Sequence, residues 1–176
     1  MSDIKGQKNL NRKLDNISNL TPVLEAAMKR EIRRVRNAAV TLCPANHGEL
    51  RQSIRTDVTT ERDAVIGICY TNNQYAAYVE FGTGPKGAAD HAGISPNVHP
   101  TYVQKGWWFP GKGIPPQDAD KYHWPKIETE EGTPLYFTTG QAAQPFMYPA
   151  LTQNEDIIKN NIAKAVRDGI KKGVSK

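Results

Sequence analysis

Leu24, Met28, Ile32, Val35, Ala39 and Leu42 recur at the spacing of a single helical face, and Pro44 closes the run. Residues three and four apart share one side of an α-helix, so this stripe has to be laid against other apolar surface. Thr21-Pro22 is the matching start signal, with Thr as N-cap and Pro in the first turn, where its missing N–H costs nothing. Pro44 stops the helix because a residue before proline avoids the helical region. Lys29, Arg30, Arg33, Arg34 and Arg36 spread over the opposite face. A second stripe, Ile158, Ile162, Ala165, Val166 and Ile170, predicts a C-terminal helix. Lys164, Arg167, Lys171 and Lys172 on its outer side suit the negative end of the helix dipole. Leu10, Leu14 and Ile17 predict a third, short and weak helix in an Asn- and Lys-rich segment.

Between the two strong helices the pattern changes. Pro44 to Gly48 reads as a turn, Ser53 to Thr59 as a strand, and Glu61-Arg62-Asp63 as a second turn. Ala64-Val65-Ile66-Gly67-Ile68-Cys69-Tyr70 is the best strand in the chain, and the two strands together predict an antiparallel hairpin. Tyr75 to Phe81 suits a short helix with Tyr75, Tyr78 and Val79 on one side, closed by Gly82.

Residues 84–140 hold most of the prolines and glycines, together with Trp107, Trp108 and Trp124. A structureless loop of that length is uncommon in a compact domain. Short strands are therefore expected at Tyr102 to Phe109 and Leu135 to Thr139, with the rest projecting as an arm or extended hairpin. The order helix, strands, hairpin-rich insertion, helix defines an α+β chain. The N-terminal amphipathic helix and the C-terminal helix are expected to pack on a small antiparallel sheet. A length of 176 residues fits a single domain, 1–176.

Composition excludes several classes. Hydrophobic residues at 38% and charged residues at 23% are values of a folded chain, not a disordered one. No apolar run approaches the roughly 20 residues that span a bilayer. Met1-Ser2-Asp3-Ile4-Lys5 lacks a basic end followed by an apolar stretch, which reads as no signal peptide. Cys43 and Cys69 sit among apolar residues and read as buried thiols in a reducing cytoplasm. The net charge of +5 permits contact with an acidic protein ring or with nucleic acid without demanding either.

Three segments carry a resemblance. The first is Cys43-Pro44-Ala45-Asn46-His47-Gly48-Glu49-Leu50-Arg51-Gln52-Ser53-Ile54. The second is Tyr75-Ala76-Ala77-Tyr78-Val79-Glu80-Phe81-Gly82-Thr83-Gly84. The third is Gly140-Gln141-Ala142-Ala143-Gln144-Pro145-Phe146-Met147-Tyr148-Pro149-Ala150-Leu151. In this order they resemble the siphophage tail-completion and head–tail joining family of minor tail components. In that family a helix ends at Pro and a turn leads through Gly-x-Leu-x-x-Ser-Ile into the first long strand. Tyr-x-x-x-Val-Glu-Phe-Gly-Thr follows, and Pro-Phe-x-x-Pro-Ala-Leu leads into the last helix. Here Asn46-His47 stands where Asp-Thr is common, Cys43 where Ala is usual, and the 84–140 segment is longer than in compact members.

The resemblance implies a virion protein of the phage neck, assembled in the host cytoplasm and forming a ring, expected to be a hexamer. The ring would lie between a head-side stopper or connector and the tail terminator or tube. It would enclose genomic DNA that is touched nonspecifically at most. No catalytic site, metal or cofactor is implied.

The motif residues also have simpler structural readings. Gly48 and Gly82 suit backbone shapes that a Cβ disfavours. Pro145 and Pro149 fix an extended lead into the last helix, with Phe146 and Leu151 as its core anchors. Pro44, Leu50, Ser53, Tyr78, Phe81 and Thr83 complete the structural set. Glu80, among apolar neighbours, needs compensation if buried. It either braces the turn at Gly82-Thr83-Gly84 or pairs with Arg51 or Arg55, within the subunit or across a ring interface. Trp107, Trp108 and Trp124 are candidate interface residues, since aromatics concentrate in hot spots.

Two rival classes remain. His47, His91, His99 and His123 with Asp90, Asp118 and Asp120 show no metal-ligand spacing. Ser53 lacks a Gly-x-Ser-x-Gly elbow, and Gly82-Thr83-Gly84-Pro85-Lys86-Gly87 lacks the order of a phosphate loop, so no enzyme is expected. A nonspecific nucleic-acid-binding protein is the other alternative, using Lys29, Arg30, Arg33, Arg34 and Arg36 on helix 22–42 to face DNA.

Overall fold

A computed structural model describes residues 7–8, 11, 20–45, 48–62 and 64–175. The expected helix through Leu10, Leu14 and Ile17, with His47 and Asp63, lies outside them. The chain is α+β, with long helices towards both ends and two small antiparallel sheets between. Where the sequence reads as one domain with an arm at 84–140, the contacts group into two compact units. One comprises Met1–Asn72 with Pro149–Lys176, and the other comprises Asn73–Tyr148.

In the first unit α1 (Thr21–Leu42) packs on the hairpin of β1 (Arg55–Glu61) and β2 (Ala64–Tyr70), and α7 (Glu155–Ser175) packs on α1. Ile32, Val35, Ala39, Cys43, Leu50, Ile54 and Ala150 are buried. Helix α1 differs from expectation at both ends. Thr21 is its first helical residue, Leu20 holds the cap position, and no side chain caps the end. The first turn closes instead through the Leu24 amide donating to the Leu20 carbonyl at 3.0 Å. Leu42, expected in the core, is 40% exposed.

The buried face of α1 is wider than the predicted stripe because the helix has two neighbours. A row through Ala27, Glu31 and Val35 is buried, with Glu31 bonded to Asn161 of α7. Ile32 and Met28 lie over Gly67 of β2. At the C-terminal end Cys43 turns extended before Pro44 while its amide still reaches the Ala39 carbonyl, at 2.8 Å.

The turn after Pro44 feeds α2 (Glu49–Ser53), so Ser53 ends a helix rather than starting a strand. Gly48, at φ 78, sets this direction change. The Ser53 hydroxyl contacts the Leu50 carbonyl at 2.8 Å and the Thr71 hydroxyl at 2.6 Å. The hairpin itself is regular, with Arg55 opposite Tyr70 and Val58 opposite Gly67.

The second unit contains α3 (Ala76–Phe81), α4 (Gly84–Ala89), α5 (Pro116–Tyr122) and a three-stranded sheet. That sheet has the order β3 (Trp107–Pro110), β5 (Pro134–Thr138), β4 (Lys126–Glu128). The strand expected over Tyr102 to Phe109 is confined to Trp107–Pro110, and α4, α5 and β4 are additions to the sequence reading. Chain from both units forms α6 (Met147–Thr152).

Candidate protein-interaction site

Two of the three motif segments meet inside the second unit. The Glu80 carboxylate is 6% exposed and accepts three backbone N–H bonds, from Phe146 at 2.7 Å, Met147 at 2.9 Å and Tyr148 at 3.0 Å. These are donors that the opening turn of α6 leaves without helical partners. The carboxylate caps that end, a third arrangement beside the turn brace and the arginine pair that the sequence suggests. Arg51 donates to the Cys43 carbonyl at 2.7 Å, and Arg55 to the carbonyls of Gln52 and Ile54.

Around this cap the two segments are stitched by backbone. The Thr83 amide donates to Gln141 O at 2.9 Å and the Gln141 amide to Thr83 O at 3.1 Å. Gln144 N reaches Val79 O at 2.8 Å, and the Gln141 side chain donates to Tyr78 O at 2.8 Å. Phe146 is fully buried. Pro145 and Pro149 flank the cap, and Gly82 takes φ 76. Leu151 departs from its expected anchoring role: it is 49% exposed, because Ala150 holds the inward position of α6. Tyr78 is 59% exposed, while Phe81 is half-buried beside the hydroxyl of Tyr102, which donates to the Phe81 carbonyl at 2.8 Å.

Apolar side chains stand on both faces of the sheet of the second unit, and Lys126 and Glu128 edge one of them. Register places Trp107, Phe109, Tyr136 and Thr138 on one face. There Trp124 meets Phe109 edge-on at 5.0 Å and stacks on Tyr122 at 5.0 Å, and Tyr136 is 5% exposed. Trp108, Pro110, Leu135, Phe137 and Ile127 share the other face. Trp108 is 45% and Ile127 47% exposed there. An antiparallel sheet with one covered face ordinarily presents polar side chains on the other. This face instead leaves Trp108 and Ile127 as exposed apolar surface.

The predicted DNA-facing cations separate. Glu31, fully buried, accepts from Arg30 Nε at 2.9 Å, Arg34 Nε at 3.1 Å and Asn161 Nδ2 at 3.0 Å. Arg36 Nε donates to the Ile54 carbonyl at 2.9 Å. Lys29 and Arg33 line a cavity of about 330 Å³ with Thr56, Asp57 and Val58 of β1. Three of the five are therefore engaged within the first unit, Arg30 and Arg34 on Glu31 of their own helix and Arg36 on the Ile54 carbonyl.

Sequence reasoning passed over Glu31, although its position four residues from both Ala27 and Val35 put it on the buried row. Burial on its own raises the Glu31 carboxyl. Hydrogen bonds from Asn161, Arg30 and Arg34, with the charge of Arg34, outweigh that and hold it below the ordinary value of 4.5. A lowered folded value means that the unfolded chain takes up its proton first as pH falls. The stabilisation is complete above 4.5 and is lost as pH drops from there through the folded value. Glu31→Gln should cost about 1–2 kcal/mol at neutral pH. In thermal melts the gap to the wild-type protein should narrow as pH falls below the ordinary carboxylate value. A gap independent of pH would refute the charge-assisted role.

Among the described residues no group of three or more His, Cys, Asp or Glu is arranged to hold a metal ion. His91 contacts the Gly87 carbonyl and stacks on Tyr102, His99 lines a cavity with it, and His123 ends α5. No described helix is long and apolar enough to cross a membrane. Comparison with protein-family models, curated proteins and solved structures finds no match to the chain.

Proposed function

We propose that this chain is a structural assembly protein of a tailed phage, acting in a ring at the neck to complete the tail and join it to the DNA-filled head. The observation that carries this reading is the open apolar face of the β3–β5–β4 sheet. It lies within the 84–140 insertion and displays Trp108 and Ile127. Such a face suits a protein that works by contacting neighbouring proteins, its aromatic and aliphatic side chains serving as hot-spot anchors. The Glu80 cap gives further support, since its three backbone hydrogen bonds join two family-like segments.

Electron microscopy of lysates from a parent phage lacking this gene tests the proposal. DNA-filled heads beside separate, finished tails are the expected outcome, and normal infectious particles would overturn it. Complementation with Trp108→Ser plus Ile127→Ser should leave the same unjoined parts, because both side chains sit on the open face. Trimming Lys112 to Lys121 is a poorer probe, since it removes most of α5 and the buried Ala119.

The basic-helix alternative retains Lys29 and Arg33. A salt-dependent mobility shift with duplex DNA, lost in Lys29→Ala plus Arg33→Ala, would favour it.

A further inference from the structure

The hairpin of the first unit is a sheet of two strands, so each strand has one edge without a strand partner among the described residues. Two-stranded sheets are marginal by themselves, and open edges invite pairing unless charge, proline or a bulge guards them. The two edges are guarded very differently. On β1 stand Arg55, Asp57 and Glu61, and Lys29 and Arg33 lie beside Thr56, Asp57 and Val58. A second β1 arriving there in antiparallel register would bring two further cations against the first two. Strand β2 has neither charge nor proline along Ala64–Tyr70, and it pairs with β1 in unbroken register.

The apolar pattern of β2 is also self-complementary about Gly67. Reversed about that residue, Ile66 falls opposite Ile68, Val65 opposite Cys69, and Ala64 opposite Tyr70. Ile66, Ile68 and Tyr70 project from the face away from α1 and are 37%, 45% and 39% exposed. Gly67 itself points towards α1, where Met28 lies over it. Cross-strand Ile–Ile pairs of this kind are favourable units of sheet stability.

We propose that β2 pairs along its open edge with β2 of a second copy, antiparallel and centred on Gly67, making one four-stranded sheet from two hairpins. The occupant is a second copy because the pattern matches its own reverse, and because the only other open edge of the sheet is charged. A contact of this type is two-fold and isologous, whereas a ring needs head-to-tail contacts. The inference therefore stands apart from the neck proposal.

Sedimentation equilibrium of the purified full-length protein is the test, read beside the Ile68→Lys variant. The wild-type protein should dimerise with rising concentration. Ile68→Lys should stay folded, since the side chain is already 45% exposed, yet dissociate more readily. Because symmetry counts the lysine twice, the weakening should be on the order of a hundredfold. A wild-type protein that stays monomeric, or a variant that associates unchanged, overturns the proposal.

Register has its own readout. Val65→Cys places a thiol opposite the partner's Cys69, and a non-reducing gel should show a covalent dimer that disappears in Val65→Cys plus Cys69→Ala. Within one chain residues 65 and 69 are four apart along a strand, too far to bridge. Cys43 is fully buried and does not compete. Burial pushes the Cys69 thiol up, so oxidation is best run at mildly alkaline pH. Absence of the covalent dimer overturns the antiparallel register about Gly67.

Discussion

Replacing Glu80 with Gln is expected to destabilise the second unit by about 2–3 kcal/mol, and Glu80→Ala by more. The carboxylate has two oxygens and takes three amide protons with them, at 2.7, 2.9 and 3.0 Å. Those bonds are charge-assisted and lie at the positive end of a short helix, where negative charge is favoured. Gln retains one acceptor oxygen and turns an NH₂ group towards donors that already need acceptors. Ala leaves Phe146 N, which is buried, with nothing to bond. Trp107, Trp108 and Trp124 all belong to the Asn73–Tyr148 unit, so tryptophan fluorescence during urea unfolding reports on it directly. An unchanged midpoint for Glu80→Gln would show that the three bonds contribute nothing net.

Gly140→Ala should cost about 3 kcal/mol or more. Gly140 has φ 85, a region that L side chains adopt only under strain. A Cβ there would also fall on the Thr83 carbonyl oxygen and lie 3.0 Å from Gly84 N. Those are backbone atoms, held by the reciprocal Thr83–Gln141 bonds, so no side chain can swing aside. Gly113 is the matched control: it has φ 81, but a Cβ at that position meets nothing within 4 Å. Gly113→Ala should therefore show backbone strain alone, about 1–2 kcal/mol. Equal losses for the two variants, in the same urea titration, would refute the close approach at Gly140.

The elements read correctly from sequence are those whose signal is local. Helix α1 ends at Leu42 as Pro44 requires, and α7 follows the Ile158 to Ile170 stripe. Strand β2 occupies Ala64–Tyr70 because a β-branched run between turns has few other uses. Strand β5 begins one residue before the expected Leu135. Inside 84–140 the sequence carries far less local signal. Pro and Gly punctuate that segment so often that periods of two and 3.6 residues never accumulate, and α4, α5 and β4 leave no pattern to count.

The candidate sites divide along the same line. The residue pattern alone requires that two amphipathic helices and a hairpin share a core. It also singled out Glu80 as a carboxylate needing compensation, and Trp107 and Trp108 as aromatics unlike ordinary loop residues. The folded chain alone makes the opening turn of α6 the compensation for Glu80, with Phe146 lying 66 residues further along. It alone placed Asn161 beside Glu31, 130 residues away, and turned Trp108 to the open face of its sheet while Trp107 and Phe109 turned to the other. The difference is one of range. Backbone hydrogen bonding repeats every few residues and writes a period into the sequence, whereas a buried charge is satisfied by whichever donors the folded chain brings near, and their distance along the chain leaves no period to read.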